Sequence, residues 1–466
     1  MARTIIRVHE SANGPDRFFL EAPLGYDGAR VGHELTCDPQ QPPFAPLEGV
    51  DPIAHAGKRL YAELCKHPAV AKALTAALGA TADRREPIAI FAESPNADRL
   101  PWETLYDDQK SFLALDARWP ILRLREAYLP EVRIEYQLEP PLRLLCVLSA
   151  AGANDAQRAP GRDEWQALID ELAQASAEPN ALPVDLRVLV GEADLKARID
   201  ADAAAPPAGV SITCEFITNK DKVLNTVSTF APHLLHFFCH GSLEGAPHLR
   251  IGTREDWLLQ QEGSVRIAAS ELPDPSQEKQ QVWLVTLNCC DSAAQAADAR
   301  VLAASLVHVG FPAALGMREP LDTKSAHAFT RQYYRAILRA LAALPEQDSS
   351  DVEWAGLLLP ARRDLATANG GLLELQARGV REWTIPAVYV RLQPFRLRRQ
   401  PPISPARRAL LQQQEVIRQQ AEQVRALDLP DATKQGILAE FQARLDAIDA
   451  QLNPAVAARA AGGTTP

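Results

Sequence analysis

The sequence predicts an α/β protein whose centre is a mostly parallel β-sheet sandwiched by helices. Nearly continuous apolar runs typical of buried strands recur at 88–91, 142–149, 184–190, 211–216, 234–240, 282–290 and 311–316. Segments with helical spacing lie between many of them, at 51–79, 163–176, 219–230, 293–309 and 323–343. Strands separated by such helices favour parallel pairing, because each helix carries the chain back to the edge where the next strand starts.

Proline-bearing stretches divide the chain into segments. Residues 128–141 contain three prolines, which predicts a connector between two α/β units. Residues 395–404 are basic and contain two prolines, which predicts a solvated linker that includes Arg396, Arg398 and Arg399. The predicted segments are α/β units at 1–140 and 141–395, a helical hairpin at 404–453 and a disordered tail at 454–466.

The first unit is predicted to begin with a β-hairpin. Strands are expected near 5–8 and 17–22, around a turn at 13–16, and another strand at 112–115. Its prominent aromatic residues are predicted to belong to the core rather than to a binding site: Trp102, Tyr106 and Trp119.

The hairpin segment carries an apolar stripe. Apolar residues recur there at spacings of three and four, which predicts a helix that presents one face to a partner helix. These residues are Leu438, Phe441, Leu445, Ile448 and Leu452. Because such a stripe can bind a partner, the sequence also allows a second class of function, that of a non-catalytic scaffold or interaction module.

Composition places the chain among soluble globular proteins. Hydrophobic residues make up 47% and charged residues 23%, and a net charge of −10 argues against a nucleic-acid-binding surface. No apolar run approaches the roughly 20 residues that span a bilayer, and the first residues lack a signal-peptide pattern. The seven cysteines show no disulfide or zinc spacing, so we expect a cytoplasmic protein with reduced thiols and no cofactor or membrane partner.

Two apolar runs end abruptly at reactive side chains. One ends at His240, directly before Gly241, and the other ends at Cys289 and Cys290. The carboxyl ends of parallel strands meet at one edge of a sheet, and neighbouring strands lie ~4.8 Å apart. A histidine and a cysteine at neighbouring strand ends can therefore act as a base and a thiol nucleophile. The backbone N–H groups of Gly241 and Cys290 are the predicted donors to a substrate oxyanion.

Other interpretations of these residues stay open at the level of sequence. Each histidine or cysteine alone is more often a buried core residue. A metal site is the sharper rival, with His236, Cys239, His240, Cys289 and Cys290 as candidate ligands. Strand geometry argues against it, because His236 and His240 lie ~13 Å apart along a strand and Cys239 points to the opposite face. The same alternation allows only one of Cys289 and Cys290 to face His240.

Three further polar residues receive predictions. Asp291 and Asp322 each precede a helical stretch, so they are expected either to cap a helix or to contact a basic side chain of a substrate. His327 is predicted to lie on the surface of the helix that follows Asp322.

Residues 236–241, His-Phe-Phe-Cys-His-Gly, resemble the strand-ending signature His-Phe-x-x-His-Gly of the CHAT domain peptidases, which are relatives of caspases and separases. Residues 286–293 are similar to a second signature of that family, in which a serine and a small residue stand where this chain has Asn288 and Cys289. Weaker similarity at 101–115 and 313–322 extends the resemblance over about residues 1–395.

The resemblance implies that Cys290 is the nucleophile and His240 the base. The implied fold is caspase-like, with an N-terminal half that lacks catalytic residues and an active second half. The implied activity is that of a cysteine endopeptidase that cleaves a protein substrate in a bacterial defence or regulated cell death system. The implied partners are a gasdermin-like substrate and a separate activator or sensor protein.

Overall fold

The computed structural model clusters the chain into two compact units, Met1–Arg399 and Gln400–Pro466. In the first unit it describes residues 3–10, 17–21, 33–36, 51–81, 84–128, 134–149, 155–242, 248–261, 263–273, 281–288, 293–319, 321–346, 348–368 and 370–399. In the second it describes residues 400, 410, 413–414, 416–418, 420–421, 424–425 and 430–452. The predicted tail at 454–466 lies outside the described residues.

The described strands are short and spread along the first unit. They are β1 (Thr4–Glu10), β2 (Arg17–Glu21), β3 (His33–Thr36), β4 (Ile88–Ala92), β5 (Tyr106–Asp107), β6 (Ser111–Phe112), β7 (Ile121–Arg125), β8 (Glu135–Leu138), β9 (Leu142–Leu148), β10 (Val184–Val190), β11 (Val210–Phe216), β12 (Leu234–Phe238), β13 (His240–Ser242), β14 (His248–Ile251), β15 (Val265–Ala268), β16 (Leu284–Leu287), β17 (Ala313–Met317), β18 (Ser349–Asp351), β19 (Pro386–Arg391) and β20 (Arg396–Arg399).

The described helices connect and cover these strands. They are α1 (Pro52–Cys65), α2 (Pro68–Leu78), α3 (Pro95–Arg99), α4 (Asp155–Ser176), α5 (Ala193–Ala204), α6 (Lys220–Phe230), α7 (Arg254–Leu258), α8 (Ala293–His308), α9 (Thr323–Ala342), α10 (Leu359–Ala366), α11 (Leu373–Gln376) and α12 (Asp431–Leu452). Within the described ranges, none of them combines the length and the apolar character that a bilayer crossing requires.

Twelve of the described strands form one sheet, in the order β11-β10-β9-β12-β16-β17-β19-β7-β4-β1-β2-β3. The strands from β11 to β17 in this order all pair in parallel. β19 pairs antiparallel with β17 and parallel with β7. It therefore joins the parallel strands from β11 to β17 to a second parallel group, which consists of β7, β4 and β1. The mostly parallel sheet confirms the predicted fold class, and β1 and β2 form the predicted antiparallel pair.

Side chains of the central strands alternate between two apolar layers, one on each face of the sheet. In β9, Leu144 belongs to the first layer and Leu145 to the second. The first layer also contains residues of α4 and α9, and the second contains residues of α6 and α8. The first layer includes Trp102, Tyr106 and Trp119, which confirms that these aromatic residues belong to the core.

The stretches predicted as a connector and a basic linker contain strands instead. β8 lies in the predicted connector at 128–141, and β20 lies in the predicted linker at 395–404. These strands pair with each other, and β18 completes a three-stranded sheet. Leu397 is buried there, whereas Nε of Arg396 lies 2.9 Å from Oδ1 of Asp351 near the surface. Because arginines flank its single buried leucine, this strand has the composition of a linker although it lies between β18 and β8.

Two other local predictions differ from the structure. The predicted strand at 112–115 is wrong for Leu113–Leu115, which form a 3-10 helix whose apolar side chains are buried without strand pairing. The predicted helical stretch at 51–79 is two helices. The second begins at Pro68, after the ring of His67 accepts a hydrogen bond from the backbone at the helix start.

The second unit contains α12 and helical residues that precede it. Ile417 and Ile448 are buried against each other, and Leu410, Phe441 and Leu445 pack around them. Residues of the predicted apolar stripe therefore contact the preceding helical residues of the same unit.

Buried charges connect β7 and β19 to the helices α3 and α8. Oδ2 of Asp98, on α3, lies 2.6 Å from Nη1 of Arg300 on α8 and accepts a hydrogen bond from the hydroxyl of Tyr389 on β19 at 2.8 Å. Its Oδ1 lies 3.2 Å from Arg123 and 3.1 Å from Arg125, both on β7. Burial opposes ionisation of Asp98, but the three arginines outweigh it and lower the pKa of this carboxyl.

We expect Asp98→Asn to lower the free energy of unfolding by about 3–5 kcal/mol, because it takes the counter-charge of Asp98 away from the buried guanidinium group of Arg300. Urea unfolding followed by circular dichroism measures this change. Asp116→Asn is the control, since Asp116 pairs with Arg118 at 2.7 Å in a partly exposed position and is expected to cost about 1 kcal/mol or less. Equal losses in the two variants would contradict the structural role of Asp98.

Candidate active site

Two buried parallel strands, β12 and β16, lead to the candidate site. Their register runs from Leu234 opposite Leu284 to Phe237 opposite Leu287, and every residue of both strands is buried. One residue later, the backbone N–H of Asn288 donates to the carbonyl oxygen of Phe237 at 2.9 Å. This confirms the prediction that the two apolar runs are neighbours that end at the same edge of the sheet.

The residues with predicted catalytic roles follow these strands. His240 begins β13, which pairs antiparallel with β14, so the backbone leaves the large sheet after Phe238, the last residue of β12. Gly241 continues β13, and the side chain of His240 lies outside the described atoms. Cys289, Cys290 and Asp291 lie outside the described residues. The pairing of an imidazole with a thiol at this edge therefore stays a prediction.

Asp322 lies at the same edge of the sheet, between β17 and α9. Its Oδ1 accepts a hydrogen bond from the backbone N–H of Ser325 at 3.0 Å, so it is the N-cap of α9. The side chain is exposed. The capping role predicted for Asp322 is confirmed, and its contact with a substrate stays a prediction.

A buried carboxylate connects four elements at this end of β12 and β16. Oε1 of Glu164, on α4, lies 3.0 Å from Nε2 of His236 on β12. The same oxygen accepts hydrogen bonds from Nδ2 of Asn288 at 2.9 Å and from Oγ1 of Thr330 on α9 at 2.7 Å. Oε2 lies 2.7 Å from Nδ1 of His327, also on α9. We call these five residues the Glu164 cluster.

Glu164 carries a negative charge in the interior. Burial by itself would raise the pKa of Glu164, but hydrogen bonds from His236 and His327 outweigh it and lower the pKa to about 2. In the described part of the chain, the ion pairs of Glu164 are those with these two histidines. Glu164 is therefore ionised at neutral pH and is held by imidazole, amide and hydroxyl groups.

Two more titratable groups face Glu164. Burial and the charge of Glu164 raise the pKa of the Cys146 thiol, on β9, well above its usual value. Cys146 is therefore a protonated thiol and a poor nucleophile. The ring of Tyr334, on α9, lies edge-on to His236 with a centroid distance of 5.5 Å, and burial raises the pKa of its hydroxyl.

The sequence interpretation missed Glu164 and was wrong about His327. His327 is only 8% exposed, because α9 begins at Thr323 and turns this residue toward the sheet. His327 lies three residues before Thr330 and seven before Tyr334, and this helical spacing would have indicated that all three lie on one buried face of α9. Glu164 lies four residues before Leu168, so it occupies the apolar stripe of α4. A charged residue within an apolar helical stripe indicates a buried carboxylate.

The rival metal site finds no support among the described side chains. Within the described ranges, no three histidine, cysteine, aspartate or glutamate residues are arranged to hold a metal ion. His236 faces Glu164, whereas Cys239 packs in the apolar layer on the opposite face of the sheet.

A profile of the CHAT domain family matches residues 54–349. Among solved structures, a crystal structure of the Saccharomyces cerevisiae separase–securin complex at 2.6 Å is similar, with a TM-score of 0.34 and 10% identity, covering 73% of this chain and 18% of the matched chain. A second structure of that complex, at 3.0 Å, has a TM-score of 0.30 and 11% identity, covering 67% and 15%. This chain thus spans less than a fifth of the length of those chains. No curated protein matches its sequence.

The depressed pKa of Glu164 predicts a pH-dependent contribution to stability. A carboxylate whose pKa falls from 4.5 to about 2 on folding stabilises the fold above pH 4.5 and loses that contribution as the pH falls toward 2. We expect Glu164→Gln to lower the free energy of unfolding by about 3 kcal/mol at pH 7, and by progressively less below pH ~4.5. Urea unfolding at several pH values measures the difference, and a difference independent of pH would contradict this account.

Proposed function

Because the chain belongs to the CHAT domain family, a family of caspase-like proteases, we propose that it is a cysteine endopeptidase that cleaves a protein substrate. In this proposal Cys290 is the nucleophile and His240 is the general base. The observation that carries it is the parallel pairing of β12 with β16, because the two reactive residues follow these neighbouring strands at one edge of the sheet.

The register of the two strands supports the pairing of His240 with Cys290. Leu234 lies opposite Leu284, an offset of 284 − 234 = 50 residues. The same offset relates residue 240 to residue 290, so each of them follows the last paired residue of its strand, Phe237 or Leu287, by three residues. Side chains that follow two neighbouring strand ends by the same number of residues can come within reach of a hydrogen bond.

Alternation along β16 favours Cys290 over Cys289. Leu284 belongs to the first apolar layer and Val285 to the second, and Asn288 points toward Glu164 on the side of the first layer. A chain that keeps this alternation for two more residues turns Cys290 toward the side of Asn288 and Cys289 toward the opposite side. His236 also faces Glu164, and His240 follows it by four residues, an even spacing that favours the same side.

The proposed reaction proceeds through an acyl-enzyme. The imidazole of His240 takes the thiol proton of Cys290, and the thiolate attacks the carbonyl carbon of the scissile peptide bond. The N–H groups of Gly241 and Cys290 donate to the oxyanion that forms. The imidazolium then gives its proton to the leaving amine as the C–N bond breaks. Water, deprotonated by the same imidazole, hydrolyses the thioester and restores the thiol.

The biological setting is a further part of the proposal. A bacterial defence or cell death system, a gasdermin-like substrate and a separate activator or sensor protein are what similarity to the CHAT peptidases suggests. Asp291 and Asp322 are the proposed contacts for a basic substrate side chain beside the cleaved bond. Oδ1 of Asp322 is already engaged in the cap of α9, so the smaller contribution is expected from this residue.

We expect Cys290→Ala to abolish cleavage of a proteome-derived peptide library, and His240→Ala to slow it by at least ~100-fold, because each removes a group that reacts. New peptide termini found by mass spectrometry measure the cleavage.

Cys289→Ala is the matched control and is expected to retain activity, since this neighbouring thiol has no assigned step. Cleavage that persists in Cys290→Ala would overturn the assignment, and cleavage lost only in Cys289→Ala would move the nucleophile by one residue.

A further inference from the structure

The Glu164 cluster connects the ends of the two strands that carry the proposed catalytic residues. We propose that Glu164 is a positioning residue, which holds the ends of β12 and β16 in the arrangement that the reaction at His240 and Cys290 requires. This inference rests on the proposed function.

The contacts of Glu164 restrain β12 at His236, its third residue, and the chain directly after β16 at Asn288. His236 precedes His240 by four residues, and Asn288 precedes Cys290 by two. Asn288 is held twice, by its backbone N–H on the carbonyl of Phe237 and by its side chain on Glu164. Loss of the carboxylate would therefore remove one of the restraints on a strand end within two residues of the proposed nucleophile.

The same carboxylate connects these strands to the two helices above them. Glu164 belongs to α4, and it contacts Thr330 and His327 of α9 at 2.7 Å each. Nδ2 of Asn288 also donates to Oγ1 of Thr330 at 3.0 Å. The strand end is thus fixed against both helices, and no single one of these contacts sets its position alone.

The negative charge of Glu164 matters as much as its shape. The described titratable groups that face it are His236 on β12, His327 on α9, Cys146 on β9 and Tyr334 on α9. A neutral amide in place of the carboxylate would present an N–H₂ group to donors that now meet an acceptor. The donors would then have to rotate or lose a partner in a buried site, where an unmade hydrogen bond is costly.

A second buried glutamate on the same helix provides a matched control. Glu171 is 1% exposed and its carboxylate makes two bonds to Arg335 of α9, at 2.8 and 2.7 Å. It lies seven residues after Glu164, about 10 Å farther from the edge of the sheet where the proposed site lies. Glu171→Gln therefore also removes a buried charge between α4 and α9, but away from the ends of β12 and β16.

The test measures the reactivity of Cys290 in the full chain with iodoacetamide between pH 6 and 9. Trypsin releases residues 280–300, and fragment masses distinguish Cys289 from Cys290. In Glu164→Gln we expect the rate of Cys290 alkylation at pH 7 to fall by about tenfold or more. We also expect the pH midpoint of alkylation to move toward that of a free thiol, ~8.5, because the imidazole of His240 is no longer correctly placed beside the sulfur of Cys290. Glu171→Gln is expected to keep the wild-type rate and midpoint, whatever its melting temperature.

The outcomes separate this inference from the proposed function. If Cys290 of the wild type reacts like the same residue in the urea-denatured chain, the proposed function is overturned and the positioning role with it. If the wild type is reactive and Glu164→Gln matches it within twofold, only the positioning role is overturned.

Thr330→Val keeps the test decisive if Glu164→Gln does not fold. This variant preserves the side-chain shape and removes one donor to Glu164 and one acceptor for Asn288. A measurable fall in the rate of Cys290 alkylation with a raised pH midpoint supports the inference, and wild-type values overturn it.

Discussion

The parallel pairing of β12 with β16 is the constraint on which the candidate site depends. Both strands are buried on both faces, so a slip of one strand by one residue would turn its two sets of side chains to the opposite faces. His236 or Asn288 would then enter the apolar layer on the face opposite Glu164, and the buried carboxylate would lose a partner. The burial that stabilises the sheet therefore also fixes the point at which each strand ends.

Two buried carboxylates use different partners. Asp98 faces three arginines, whose combined charge exceeds its own, and it connects β7 to α3 and α8 by attraction. Glu164 pairs with no lysine or arginine among the described residues, and it is held by hydrogen bonds from imidazole, amide and hydroxyl groups. Hydrogen bonds are directional, so they set the orientation of side chains more strictly than charge alone. Such directional support suits the end of a strand that leads to a reactive residue.

The large sheet could be predicted from sequence because most of its central strands are short apolar runs, a pattern typical of strands buried on both faces. Parallel neighbours and a common edge for the two reactive segments follow from the same runs. β20 could not be predicted, since Arg396 and Arg398 are charged and Leu397 alone indicates that one side of this strand is buried. Glu164 and His327 could not be paired from sequence either. They lie 163 residues apart, and their contact exists only because α4 and α9 cover the same face of the sheet.

Asn288 shows how surroundings account for a departure from a family signature. A serine hydroxyl has one hydrogen to donate, whereas an asparagine amide has two. Both acceptors of Asn288 are present, since Nδ2 donates to Glu164 at 2.9 Å and to Thr330 at 3.0 Å, and Thr330 itself donates to Glu164. The three groups close a ring in which each bond restrains the other two, and the ring connects β16 to α4 and α9 together. A serine hydroxyl could donate to only one of these two acceptors, so the amide at position 288 suits the pair formed by Glu164 and Thr330 in this chain.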